Sequence, residues 1–497
     1  MKTKWKLPAD ERIISRIQWC REPNQDDRGE SCTYRDLTAW TDLISRRELS
    51  SRELAQHYID RIKRLDGQVQ SYITLCEEQA LQEAEAADGR LAKGESRGAL
   101  HGIPLAVKDI FWTKGVRTTS GSSIQADFVP DADAAAWEKL SGAGALLLGK
   151  LNMHEFAYGT TTENPHYGIC RNPWDTGRTA GGSSGGSAAA LAIDLTPASL
   201  GTDTGGSIRI PAACCGVVGL KPTFGRVSKH GVFPLARTLD HVGPMARTVR
   251  DAALLMNILA GYDERDPHSV RRPREDFAAQ LGASVRGMKV GVERSFFHAH
   301  ADRELVDAVE RAADVLRSAG MSVVEVDMPI LADIPVAQNI TISVEALSVH
   351  DAWLSDPDRR YGMDVRTRLE NGRPFTAIEY AEAQWVRARF ARHLEQQHGS
   401  VDVLLTPVTP FFPPVTGAET VLVNGREMVV RRNFTRFTNP FNLTGSPAIS
   451  VPFGLSREGL PLAVQLVGAA FSETKLLQIA AVVEQANAAA VPPHFTD

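Results

Sequence analysis

Apolar residues recur at helical spacing in the first fifth of the chain. Ser50 and Glu53 form the S-x-x-E pattern of a capping box, which is typical of a helix start. The residues that follow place an apolar side chain every three to four positions, at Leu54, Tyr58, Ile62 and Leu65. Residues 77–93 are rich in Ala and Glu and predict a second helix with an exposed face.

Strands and helices alternate from residue 101 onward. Residues 101–111 have strand character, residues 144–150 predict a buried strand, and residues 184–193 predict a helix of small residues. The polar composition of residues 271–286 indicates a surface excursion. Further segments predict a βαβ unit at 288–293, 304–319 and 321–326 and a long helix at 379–397. Beyond them we predict a strand at 401–407 that ends at proline, a strand at 450–455, and a last helix at 472–487 capped by Ser472. This alternation predicts an α/β fold built on a layered sheet.

Composition and charge exclude several classes of protein. The chain has 497 residues, 43% hydrophobic and 23% charged, as in an ordinary globular enzyme. A net charge of −5 without a basic stripe argues against nucleic acid as the main partner. No uncharged apolar run of about 18 residues is present, so we expect no membrane span. The N-terminus lacks the pattern of a secretory signal, and the six cysteines lack CxxC spacing, which favours reduced thiols in the cytoplasm.

Two Gly/Ser-rich loops carry the strongest chemical signal. They occupy residues 181–187 and 201–207 and are separated by a short apolar segment. Glycine adds nothing to a core, but it lets backbone N–H groups approach a ligand closely. Each loop presents a candidate nucleophile, Ser183 in the first and Ser207 in the second. The glycines of Thr204-Gly205-Gly206-Ser207 also allow successive N–H groups to point into one concavity and stabilise an oxyanion.

Other chemistries have weaker support in the sequence. Residues 144–150 resemble a phosphate-binding loop, but Leu151 stands where a magnesium-binding hydroxyl is needed. The histidines, including the pairs His298/His300 and His154/His166, lack metal-site spacing, so neither a metal nor another cofactor is expected. The G-x-S-x-G elbow is absent around Ser207, although a distant His and Asp could still complete an ordinary serine triad.

The loop residues identify the chain as resembling the amidase signature family. The match runs from Gly181-Gly182-Ser183-Ser184-Gly185-Gly186 to Gly201-x-Asp203-x-Gly205-x-Ser207-Ile208-Arg209-x-Pro211. Flanking segments similar to the family include G102IPLAVKD, L151NMHEFAYG, C215GVVGLKPTFGRVS and F441NLTGSPAISVP. The resemblance covers roughly residues 40–490. It implies a large mixed β-sheet sandwiched between helices, an α/β/α architecture.

The resemblance also implies domain limits. Residues 1–35 have no counterpart and form an N-terminal extension. Residues 36–495 form the catalytic domain, with a helical part at about 36–95, the signature core at about 96–265, and a variable part that forms the substrate pocket at about 330–440.

The resemblance further implies a Ser–cis-Ser–Lys triad. Ser207 is then the acylated nucleophile, Ser183 the bridging serine in a cis peptide with Gly182, and Lys108 the base. Thr204, Gly205, Gly206 and Ser207 are expected to form the oxyanion hole. Ser184 competes with Ser183 for the bridging role, and motif position favours Ser183.

Physical chemistry adds demands to these assignments. A free lysine has a pKa near about 10.4, and burial among the apolar neighbours of Lys108 could lower it by about 3–5 units so that the amine accepts a proton. Asp203 and Arg209 are charged residues in a small, apolar stretch. We therefore expect them to form a structural ion pair.

The expected function is hydrolysis of a small-molecule amide through an acyl-serine. The aromatic residues considered for the pocket in the variable part are Trp353, Tyr361, Trp385, Phe411, Phe412, Phe434, Phe437 and Phe441. If several of them line the pocket, an aryl or bulky aliphatic acyl group would fit there. Carbamates and esters stay open as substrates, as does a homodimer as the assembly. One alternative is the A subunit of a glutamine amidotransferase that acts on mischarged tRNA together with a partner protein. Another is an inactive scaffold that binds a small molecule.

Overall fold

The computed structural model describes residues 35–356 and 358–487 and the single positions 490, 492 and 495. Apart from Arg35, the expected N-terminal extension lies outside the described residues, as do Cys20 and Cys32.

The described residues form seventeen strands, eleven of them in one sheet. In chain order they are β1 Tyr72–Leu75, β2 Pro104–Lys108, β3 Leu146–Leu151, β4 Glu163–Asn164, β5 Gly168–Ile169, β6 Arg171–Asn172, β7 Asp175–Thr179, β8 Ala198–Asp203, β9 Val218–Lys221, β10 His241–Ala246, β11 Lys289–Val292, β12 Ser322–Glu325, β13 Val403–Pro407, β14 Thr420–Val423, β15 Arg426–Val429, β16 Ala448–Leu455 and β17 Pro461–Gly468. The large sheet has the order β1-β3-β2-β8-β10-β9-β16-β17-β13-β11-β12.

The sheet is mixed. Strands β3, β2 and β8 run parallel to one another, and so do β13, β11 and β12. The strands from β8 through β10, β9, β16 and β17 to β13 pair antiparallel. The predicted βαβ unit is confirmed, since β11 and β12 are parallel neighbours joined by the helix Arg303–Ser318.

Helices cover both faces of the sheet. The described α-helices are Leu37–Ser45, Ser51–Val69, Glu77–Ala92, Ala135–Gly142, Gly185–Ala192, Arg209–Cys215, Val249–Leu259, Ser295–His300, Arg303–Ser318, Ile334–Leu354, Met363–Glu370, Ala377–His398, Val430–Asn433, Pro440–Leu443 and Glu473–Gln485. Neighbouring residues of β8 point to opposite faces of the sheet, as successive strand residues do. Leu200 joins the main apolar core on one face, whereas the Ser199 hydroxyl donates to the helix Gly185–Ala192 on the other. The expected α/β fold with a large mixed sheet between helices is confirmed.

Two predicted helix starts can be compared with the structure. The capping box of Ser50 and Glu53 forms as predicted, with the serine side chain accepting from the Glu53 N–H and the glutamate accepting from the Ser50 N–H. The predicted cap by Ser472 is wrong, although the helix does begin at Glu473. The Ser472 hydroxyl donates to the Ala469 carbonyl at 2.7 Å, so it closes the preceding turn instead.

The described cysteines are free thiols. Cys170, Cys214 and Cys215 are buried and Cys76 is partly buried. Burial raises the pKa of all four, which makes them unreactive packing residues, as expected for the adjacent pair 214–215. No helix within the described residues is long and apolar enough to cross a bilayer.

Candidate active site

The parallel strands β2 and β8 bring the candidate residues to one edge of the sheet. Lys108 is the last residue of β2, and β8 ends at Asp203, four residues before Ser207. Neighbouring parallel strands present their carboxyl ends at the same edge, where open α/β sheets place their ligands. All five residues of β2 are buried, so the lysine at its end is buried as well.

Lys108 is held by two hydroxyl groups. Its Nζ lies 2.7 Å from Ser183 Oγ and 2.7 Å from Thr202 Oγ1, and the side chain is 0% exposed. Burial lowers the pKa of Lys108 from 10.5 to about 7, while the carboxylates of Asp203 and Asp240 act in the opposite direction. About half of the molecules at neutral pH would therefore carry an uncharged amine next to Ser183.

The Gly182–Ser183 peptide bond is cis. The surrounding chain fixes this loop: the Ser183 carbonyl accepts from the His154 N–H at 3.1 Å, and the Gly181 carbonyl accepts from Thr162 Oγ1 at 2.8 Å. The neighbouring Ser184 hydroxyl instead donates to the Thr202 carbonyl at 3.2 Å. The lysine thus contacts Ser183, the serine that motif position favoured.

Ser207 lies on the adjacent loop. Its carbonyl accepts from the Ser184 N–H at 3.2 Å, which joins the two Gly/Ser-rich loops. The side chain is 7% exposed, and its hydroxyl makes no hydrogen bond to any residue that the structure describes. The structure therefore brings Lys108 and Ser183 into direct contact and ties the Ser207 loop to Ser184, the residue after Ser183.

Glycine is required at position 206. Its φ is +129°, and an added Cβ would lie 2.2 Å from Thr438 Oγ1. That threonine hydroxyl donates to the Gly205 carbonyl at 2.6 Å and so fixes the peptide next to Ser207. The close approach explains why this loop is rich in glycine.

The backbone N–H groups of the Ser207 loop differ in their partners. That of Gly206 donates to Asp203 Oδ1 at 2.8 Å. Those of Gly205 and Ser207 donate to no atom in the part of the chain that the structure describes. Both donors are therefore available to a ligand.

A buried ion pair anchors the loop. Arg209 and Asp203 are both 0% exposed and lie 2.9 Å apart, which confirms the expected pairing. The remaining guanidinium donors reach the Thr438 carbonyl, Gln465 Oε1 and Asn442 Oδ1. Although burial opposes ionisation, Arg209 holds the pKa of Asp203 well below its usual range. Because every charged atom has a partner, the pair supports the loop without unsatisfied charge.

Two contacts made by residues of the candidate site were not predicted from the sequence. Thr202 is the second partner of Lys108, and Asp240 accepts from Thr204 Oγ1 at 2.6 Å. The strand periodicity gave a signal for Thr202, since it follows Leu200 by two residues and therefore shares its face. Asp240 lies 36 residues from Thr204 in sequence and had no such signal.

A cavity of about 200 Å³ borders Thr202 and Thr204. Its other described lining residues come mainly from the segments 229–242 and 265–268, and the eight aromatic residues considered for the pocket are not among them. Trp353 and Tyr361 pack around Phe156, whereas Phe411 stacks on Phe434 in the core at 4.9 Å. Phe437 and Phe441 are core residues, and Trp385 is 63% exposed.

The residues considered for other chemistries have structural roles. Lys150, of the sequence that resembles a phosphate loop, is buried on β3 and lies 3.5 Å from Asp109. His166 contacts Glu155, and His154 contacts Asp364. Within the described ranges, no group of three or more His, Cys, Asp or Glu side chains is arranged to hold a metal ion.

Comparison with known proteins adds independent information. The family model Amidase matches residues 53–477. The A subunit of glutamyl-tRNA(Gln) amidotransferase from Alkaliphilus metalliredigens is 39% identical over 464 residues, which are 88% of this chain and 94% of that relative.

Solved structures are also similar to this chain. A chain from a vestigial protein complex, described for the evolutionary origins of an s-triazine catabolic enzyme, has a TM-score of 0.88 and 35% identity and covers 92% of this chain and 100% of its own. A bacterial aryl acylamidase of the amidase signature family has a TM-score of 0.83 and 29% identity, with 91% and 96% coverage.

Proposed function

The chain belongs to the amidase family and is an enzyme that acts on amide C–N bonds, and on that premise we propose that it hydrolyses carboxylic amides through an acyl-enzyme on Ser207. Lys108 is the base, and Ser183 carries protons between Lys108 and Ser207. The products are a carboxylic acid and ammonia or an amine.

In the acylation step, Ser207 Oγ attacks the amide carbonyl carbon. Its proton passes to Ser183, whose own proton passes to the neutral Lys108 amine. When the tetrahedral intermediate collapses, the C–N bond breaks and the proton returns by the same route to the leaving nitrogen. Water then attacks the acyl-serine and gives up a proton to this relay. The ester C–O bond breaks, the proton returns from the relay to Ser207 Oγ, and the acid is released.

The negative charge of the tetrahedral intermediate needs donors at the carbonyl oxygen. We assign this role to the loop Thr204-Gly205-Gly206-Ser207, with the unpaired N–H groups of Gly205 and Ser207 as the donors. One such donor contributes roughly 3–4 kcal/mol to the transition state in other serine hydrolases. The side chain of Thr204 is fixed by Asp240, which holds the start of this loop in place.

The observation that carries the proposal is the buried contact between Lys108 Nζ and Ser183 Oγ at 2.7 Å. A lysine buried in this way loses its proton near neutral pH, and its amine then faces a hydroxyl rather than a carboxylate. The link from Ser183 to Ser207 is expected to close in the substrate complex, because catalytic hydrogen bonds tighten when substrate is bound.

We propose a small-molecule amide as the substrate, with aryl or bulky aliphatic acyl groups tested first and carbamates and esters included. The mechanism uses neither metal nor cofactor. The free thiols at positions 76, 170, 214 and 215 support a reducing compartment, the cytoplasm.

The test measures acid and ammonia release by the purified full-length chain, without added partners, from aryl amides, aliphatic amides, carbamates and esters. Ser207→Ala and Ser183→Ala should each lower kcat by at least about 10³-fold. Ser184→Ala is the matched control, because this serine lies in the same loop but bonds only to backbone. A fluorophosphonate should label Ser207 and no other serine.

Equal activity of the Ser183→Ala and Ser184→Ala variants would contradict the relay. Absence of both turnover and fluorophosphonate labelling would instead support an inactive scaffold that binds a small molecule.

The second candidate is a component of an amidotransferase. The 39% identity to the A subunit of glutamyl-tRNA(Gln) amidotransferase over 94% of that protein favours it. Such a component would release ammonia from glutamine and pass it to a reaction on mischarged tRNA in a partner protein. Ammonia release from simple amides by the chain alone, with no stimulation by the other amidotransferase components, would exclude this candidate.

A further inference from the structure

The cavity beside Thr202 and Thr204 has a lining of mixed chemistry. Thr202 connects it to the candidate catalytic residues, because Thr202 Oγ1 lies 2.7 Å from Lys108 Nζ. Apolar side chains, among them Val232 and Phe233, also line it. Charged side chains complete the lining; these are Lys229, Arg237, Asp240, Arg265 and Asp266.

The cations Lys229 and Arg237 keep unused hydrogen-bond donors. Arg237 is exposed, and its guanidinium contacts no acceptor among residues 35–356 and 358–487. Lys229 Nζ donates to the Arg237 carbonyl at 2.7 Å and lies 4.3 Å from the centre of the Phe224 ring, which leaves donors of the ammonium group free. Both side chains can therefore bind an anion without breaking an existing ion pair.

The other charged groups of the lining already have partners. Asp240 accepts from Thr204 Oγ1 and from the N–H groups of Leu235 and Ala236. Asp266 accepts from the N–H groups of Lys229 and His268.

Arg265, also in the lining, donates a bidentate pair of hydrogen bonds to Glu138 and a further hydrogen bond to Asp263. Burial lowers the pKa of His241 and of His268, so both rings are neutral near pH 7. Arg237 and Lys229 are thus the charged groups left to select a ligand.

We propose that the enzyme selects amides whose end remote from the scissile bond carries a carboxylate, bound by Arg237 and Lys229. This inference rests on the proposed hydrolysis at Ser207 and adds the substrate class. A guanidinium binds a carboxylate through two parallel hydrogen bonds, which gives geometric as well as electrostatic selection. The apolar side chains of the same lining, among them Val232 and Phe233, suit a methylene chain or a ring.

The experiment compares ω-carboxy amides with uncharged amides of equal chain length: succinamate, glutaramate and adipamate against the methyl-terminated amides. The wild-type chain should hydrolyse at least one carboxylate with a kcat/KM at least 10-fold above that of its uncharged match. Arg237→Gln should remove this preference mainly through a higher KM, and Lys229→Gln should weaken it. Both variants should change kcat/KM for the uncharged amides less than 2-fold.

Arg265→Gln is the matched control, since this arginine lines the same cavity but is already paired with Glu138 and Asp263. It should leave the preference for the carboxylate unchanged. Equal loss of the preference in the Arg237 and Arg265 variants would show that the positive charge of the whole cavity, rather than a contact with Arg237, attracts the carboxylate. That result would overturn the assignment to Arg237.

A binding measurement separates this inference from the proposed function. Calorimetry with the Ser207→Ala variant and glutaramate, with or without Arg237→Gln, needs no turnover. Binding that is lost on Arg237→Gln supports the anion site even if no amide is hydrolysed, in which case the proposed function alone fails. Hydrolysis without any preference for the carboxylates, together with no effect of Arg237→Gln, overturns the inference and leaves the proposed function standing.

Discussion

Replacing Lys108 by Met tests the centre of the mechanism. The change removes the amine that contacts Ser183 and Thr202 but keeps an unbranched side chain in the buried site. The serines would lose the group that accepts their proton. We expect kcat to fall by at least about 10³-fold and the acidic limb of the pH–rate profile to disappear.

The magnitude follows from the buried environment of the amine. Burial lowers the pKa of Lys108 from 10.5 to about 7, and at 1.36 kcal/mol per unit this corresponds to about 5 kcal/mol. At pH 7 about half of the lysine is neutral, whereas an unperturbed lysine would be neutral in about one molecule in 3,000. Burial therefore raises the concentration of active base by about three orders of magnitude.

The same shift affects stability. Below about pH 7 the folded protein holds a charged amine in a buried site, so the full energetic cost of the lowered pKa is present. Between about pH 7 and pH 10.5 the unfolded chain binds a proton that the folded chain does not, so the stability of the wild type rises with pH. The Met variant should therefore be more stable than the wild type at pH 6, by up to about 5 kcal/mol, and the difference should shrink toward pH 10.

The assay combines kcat/KM between pH 5 and pH 10 with denaturant unfolding at both ends of that range. Lys150→Met is the control, since Lys150 is equally buried on the neighbouring strand β3 but donates to Phe111, Thr113 and Thr118 rather than to a serine. Its remaining activity should keep the acidic limb. A Lys108→Met variant that retains the limb would refute the reasoning and point to a histidine base.

The remaining predictions concern the loop and its surroundings. Asp240→Asn removes a negative charge that raises the pKa of Lys108, so the acidic limb should move to lower pH, as a pH–rate profile would show; an unmoved limb would contradict this electrostatic coupling. Asp203→Asn leaves Arg209 buried without its counter-ion and should lower the free energy of unfolding by about 3–5 kcal/mol in denaturant unfolding. Breaking the exposed ion pair of Arg366 and Glu370 should lower it by less than about 1 kcal/mol. Gly206→Ala should abolish activity because its Cβ would meet Thr438, whereas Gly282→Ala, also at positive φ but with open space, should keep full activity. Dialysis against EDTA should leave the rate unchanged, and inhibition reversed by added metal would disprove the metal-free mechanism.

Local sequence was enough to predict the candidate site. Backbone N–H groups can approach a ligand closely only where neighbouring residues are small, so the glycine and serine pattern around Ser183 and Ser207 can be recognised from the sequence. The capping box at Ser50 and the strand 104–108 follow from equally local rules. Ser472 failed as a cap because its hydroxyl donates to the Ala469 carbonyl and accepts from no first-turn N–H, a choice between two local partners that the sequence pattern does not decide.

Only the folded chain decided how these pieces meet. The sequence alone, even with its family resemblance, could not show that Thr202 is the second partner of Lys108, nor that Asp240 holds Thr204 across 36 residues. Whether an aromatic residue such as Phe434 or Trp353 lies in a core or near a cavity depends on which elements pack together, and composition carries no information on that point. The physical reason is that propensities and turns act within a few residues, whereas burial, and with it the pKa of Lys108, is set by contacts between strands and loops far apart in the chain.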